Sequence, residues 1–132
     1  MEGIMDIFFV GKLAIGGFIA IVFLQSGLDK IFDWKGNHAW ISDHFKNSML
    51  AKFVTPTLGI VTLLETAAGL LSVCGIVCLL WCNDGSCIYY SVLVALVSLL
   101  MLLFGQRVAR DYDGAKTITI YFGVVLLSLL FF

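Results

Sequence analysis

Glu65 is the residue whose type and surroundings point most directly to chemistry. It stands in LLETAAGLL, inside an apolar run that carries no other charge. Counted from a helix start at Pro56 it lies about 13 Å along the axis, near the middle of a bilayer core roughly 30 Å thick. An ionised carboxylate at that depth costs several kcal/mol unless it is paired or protonated. As a functional group, Glu65 would be a proton carrier, a contact for quinone or substrate, or an ion ligand. As a structural group, it would be a protonated hydrogen-bond donor inside a helix bundle or half of an ion pair with Lys12. Lys12 can reach inward to Glu65 or run its aliphatic stem outward and place the ammonium among headgroups.

The cysteines form a second group. Cys74, Cys78 and Cys82 fall at i, i+4 and i+8 and so share one helix face. Cys87 follows across the turn CNDGSC, which makes Cys82 and Cys87 the candidate disulfide in an oxidising compartment, with Cys78 within exchange distance. A thiol relay is one reading of this set. Small packing residues plus a structural staple is the other, since the spacing is not CxxC.

A third group sits where apolar stretches end. Gln25, Ser26, Asp29 and Lys30 close the first stretch, and Gln106, Arg107, Arg110 and Asp111 close the third. They can anchor neighbouring helix ends through ion pairs, or Gln25, Lys30, Arg107 and Arg110 can frame a pocket for an anionic headgroup or a quinone ring. His38, Asp43 and His44 match no common ligand spacing, and no metal site is expected from them. No phosphate loop, nucleophile motif or dinucleotide fingerprint occurs.

The elements that must position these groups are membrane helices. Of 132 residues, 61% are hydrophobic and 13% charged, with a mean hydropathy of +1.03; a soluble domain does not have this composition. Four apolar stretches, about 7–27, 56–81, 88–105 and 115–132, are each expected to form a helix, because only helices and closed barrels satisfy backbone amides in hydrocarbon. The expected fold is all-α: an antiparallel bundle of four transmembrane helices forming one domain over 1–132. The last stretch is short, so its helix begins earlier, near Tyr112, or crosses a thinned bilayer.

Between the first two spans the chain is polar, yet Trp40 or Ile41, Phe45, Met49 and Phe53 recur every four residues, which predicts a short amphipathic helix at the interface. Thr55 followed by Pro56 reads as a capped start of the second span. Gly16, Gly17, Gly59, Ala67, Ala68, Gly69 and Gly75 offer small surfaces for close helix approach.

Net charge is −1 and no basic run occurs, which leaves no footprint for nucleic acid. Glu2 and Asp6 replace the basic segment of a signal peptide, so the first helix is expected to be retained. Seven of the eight Lys and Arg residues lie in the first and third connections, which an antiparallel topology puts on one side. The positive-inside rule makes that side cytoplasmic, with both termini and the turn over 82–87 extracytoplasmic.

FLQSGLDKIFD at the end of the first span, Glu65 within LLETAAGLL, and FGQRVARDYDGA after the third span, in this order, resemble the DoxX family of small four-helix membrane proteins. The resemblance implies a bacterial inner-membrane protein of four helices. Some members are linked to redox complexes, among them a quinone-reducing thiosulfate oxidoreductase and an assembly with superoxide dismutase and a sulfurtransferase; a eukaryotic branch acts in receptor assembly. Many members carry Arg in the first helix, where this chain has Lys12 one turn earlier.

The function expected is therefore an accessory subunit of a redox or envelope complex, not an enzyme by itself, with the lipid bilayer and a larger membrane complex as partners and quinone as the candidate cofactor. A non-catalytic assembly or scaffold protein is the alternative. A small-solute transporter is the third class, disfavoured by the lack of broken helices and internal repeats.

Overall fold

The computed structural model describes residues 7–47, 51–108 and 110–132. Glu2, Asp6 and Met49 lie outside the described residues. The fold is all-α, with no strand among the described residues and four helices long and apolar enough to cross a membrane.

The first of these, α1, covers Ile7–Phe32 and contains a π-helical segment, Ala20–Leu24. It ends at Asp33, whose carboxylate caps the next helix, α2 (Trp34–His44), by accepting the Gly36 amide at 3.3 Å. The Asn37 side chain donates to the Asp33 carbonyl at 2.9 Å, which ties the corner together.

A 3₁₀ turn, Ala51–Phe53, leads into α3 (Val54–Cys82). Thr55 is not the cap that its sequence position suggests. The helix begins at Val54, two residues before the expected start at Pro56, and the Thr55 hydroxyl is bonded to His38 Nε2 at 2.7 Å, clipping α2 to α3. Pro56 falls in the first turn, where its missing amide costs no helical bond.

Helix α4 covers Ser86–Val108. Arg110, with φ of 61°, makes the sharp reversal after it, and Asp111 caps α5 (Tyr112–Leu127) by accepting the Gly114 amide at 3.0 Å. The last spanning helix thus starts at Tyr112, because Asp111 and Gly114 supply the cap. A 3₁₀ turn, Ser128–Phe131, extends it, so that the span reaches 20 residues.

Helix α3 is central and packs against α1 and α4; α4 packs against α5, and the turn after α5 returns to α1. Ile19, Phe23, Leu79, Ile88, Val92, Leu99 and Val125 fill the interior, while large apolar side chains such as Leu63, Trp81 and Leu130 cover the outside. With lipid as apolar as the core, cohesion must come from close packing. The α1–α3 seam supplies it. A Cβ on Gly69 would lie 2.8 Å from the Leu24 backbone, and one on Gly27 would lie 3.0 Å from the Thr66 amide nitrogen. The Ser72 hydroxyl donates across the same seam to the Gly16 carbonyl. Gly17 and Gly59, also expected at close contacts, face open space instead.

Candidate functional site

Glu65 is 3% exposed and stands near the middle of its span, Ala51–Cys82. Its partner is Lys30, not Lys12. The Lys30 ammonium lies 2.9 Å from Glu65 Oε1, and Ser26 donates its hydroxyl to Oε2 at 2.9 Å. Lys30 also donates to the Ser26 oxygen at 2.8 Å, which closes a three-membered network. Beyond this ion pair, Oε1 has no hydrogen-bond partner among the described residues.

Local structure explains the pairing. Ser26 and Lys30 are i and i+4 on α1, and therefore on one face. That face meets α3 because Gly27 lets α1 approach at Thr66, next to Glu65. The π segment adds a residue to the turn and so rotates the Gln25–Phe32 part of α1 relative to the Ile7–Ile19 part.

Lys30 also lines a cavity of about 460 Å³ between α2, α3 and α4. The walls are mostly carbon: Ile41 and Phe45 from α2 and its end, Leu58 and Val61 from α3, Leu100 and Phe104 from α4. Gly105 leaves room there, since a Cβ on it would meet only the Phe45 ring, at 3.4 Å. The polar lining is sparse and comprises Lys30, His44, Thr57 and Gln106. His44 stacks on Trp40 with ring centroids 4.8 Å apart, and its Nε2 is 3.5 Å from Asp111 Oδ2. That contact forms no hydrogen bond, and the buried atoms His44 Nε2 and Gln106 Oε1 both have no hydrogen-bond partner among the described residues. Buried polar atoms of this kind are normally satisfied. A ligand with a donor for Gln106 Oε1 would supply what is missing.

The remaining sequence candidates lie elsewhere. Gln25 is exposed, and Arg107 lies over the Tyr112 ring, 4.9 Å from its centroid. Arg110 is exposed in the reversal. Of the four residues framed as a pocket, only Lys30 takes part in this one. Lys12 sits at the opposite end of the bundle, 5.5 Å from the Phe132 ring centroid and beside Gly85. Cys82 and Cys87 are free thiols. Among the described residues no cluster of His, Cys, Asp and Glu could hold a metal ion.

Sequence reasoning missed Gln106 and His44 as cavity residues, and missed the Lys30–Glu65 pair. The i, i+4 spacing of Ser26 and Lys30 was the available signal for the pair. Comparison with known protein families, curated proteins and solved structures returns no match.

Proposed function

We propose that this integral membrane protein is a DoxX-like accessory subunit of a bacterial inner-membrane redox complex, and that the cavity under α2 accommodates a quinone ring. The observation that supports this is Lys30, held by Ser26 and paired with Glu65 behind it, on the wall of a mostly apolar chamber that also holds Gln106 Oε1, an acceptor with no partner among the described residues. A volume near 460 Å³ suits a ring compound. Lys30, its charge balanced by Glu65, offers a donor to a ring carbonyl, and Gln106 Oε1 offers an acceptor to the hydroxyl of the reduced ring. The same chamber would open toward the cytoplasmic face, with both termini and the α3–α4 turn extracytoplasmic, as the distribution of Lys and Arg favours.

The test is quinone-dependent electron transfer in membranes carrying Glu65→Gln or Glu65→Ala. Turnover per mole of accumulated protein should fall at least tenfold. Unchanged turnover at normal abundance would remove Glu65 from the chemistry. The scaffold alternative is favoured by the small number of polar groups available for chemistry. It would be recognised by a stoichiometric large partner, without bound quinone, after purification in mild detergent.

A further inference from the structure

The turn between α3 and α4 brings two thiols together at the end of the bundle away from the cavity. Asn83 is left-handed, with φ of 53°; its amide donates to the Leu79 carbonyl at 3.0 Å, and the Asp84 amide reaches the Cys78 carbonyl at 3.5 Å. The chain doubles back so tightly that the start of α4 presses on Gly75. A Cβ on Gly75 would lie 2.7 Å from the Ile88 amide nitrogen and 3.1 Å from the Cys87 carbonyl carbon.

Cys78 follows Gly75 by three residues and shares its face, which directs its side chain at Cys87. The Cys87 thiol is its neighbour there, with the Asp84 carboxylate nearby. Cys82 shares that face too, but it lies about 10 Å further along the axis than Gly75, past the point where α4 begins. Consistent with this, Cys78 and Cys87 are half-buried, while Cys74 and Cys82 are exposed.

We propose that Cys78 and Cys87 are a reversible disulfide pair, closed by exchange with a low-molecular-weight disulfide. One cysteine thiolate attacks the external R–S–S–R, forming a mixed disulfide and releasing one R–S⁻, which takes up a proton. The second cysteine thiolate attacks the protein sulfur of that mixed disulfide and expels the second R–S⁻. Two cysteine protons end on two released thiols, and the two electrons lost by the cysteines reduce the external disulfide. Closure staples α3 to α4 without altering the cavity end.

The experiment treats the full chain in mild detergent with oxidised glutathione, alkylates the free thiols and maps the linked peptides without reduction. The expected result is a Cys78–Cys87 linkage with Cys74 and Cys82 alkylated, restored to four free thiols by dithiothreitol. Cys78→Ser should abolish the linkage, whereas Cys82→Ser should retain it. A Cys82–Cys87 linkage, glutathione adducts without an internal linkage, or four alkylated thiols would each overturn the proposal. The peptide map of the unsubstituted protein decides the pairing even where a variant fails to fold.

Discussion

At the scale of single residues, the central fact is that Glu65 is buried with a compensating cation. Replacing one member of such a pair leaves an uncompensated buried charge, a loss of about 3–5 kcal/mol, whereas replacing both with apolar residues of similar size is close to neutral. Lys30→Met is therefore expected to lower the unfolding midpoint in detergent sharply, and Lys30→Met combined with Glu65→Met to recover most of the loss. A double variant as unstable as the single one would contradict the pairing. Asp84 provides a residue-scale test outside the bilayer: the Ser86 hydroxyl at 2.8 Å and its amide at 3.0 Å hold its carboxyl below the ordinary value. A depressed native pKa stabilises the turn above the ordinary carboxylate pKa, and that contribution is lost as pH falls through the depressed value. Ser86→Ala should move the Asp84 titration upward, as read by NMR of its carboxyl carbon. Glu65 was legible in the sequence because a single charge in an apolar run stands out. Its partner was not, because choosing between Lys12 and Lys30 requires knowing which face of α1 meets α3.

At the scale of elements, that face is what the sequence withholds. The Ile7–Ile19 part of α1 is apolar nearly all round, so its periodicity carries little rotational information, and the π segment Ala20–Leu24 shifts the register before the polar Gln25–Phe32 part begins. The face is decided by close contacts at Gly27 and Gly69, which only the packed helices reveal. Gly69→Val would force α1 away from α3, because the added atoms meet the Leu24 backbone, not a movable side chain end. The expected cost is about 1–3 kcal/mol, measurable as a lower unfolding midpoint, whereas Gly59→Val, into open space, should leave it within error. Helix ends were partly legible. Asp111 and Gly114 mark the start of α5 once the cap is recognised, but Thr55 misled, because its hydroxyl is used by His38 on another helix.

At the scale of the whole molecule, the four spans follow from composition alone, whereas the cavity does not. It exists because α2, short and clipped to α3 through His38 and Thr55, covers a gap between α3 and α4 that Gly105 leaves unfilled. Gly105→Leu would place a side chain in the chamber while leaving Ser26, Lys30 and Glu65 untouched. The most direct measurement is therefore to purify the tagged native protein and Gly105→Leu side by side in mild detergent, extract each, and quantify the lipoquinone per mole of protein. Quinone should accompany the native protein and fall about tenfold or more in the variant, a difference of about 1.4 kcal/mol in binding. Equal quinone in both, or none with the native protein, would contradict a quinone-binding cavity.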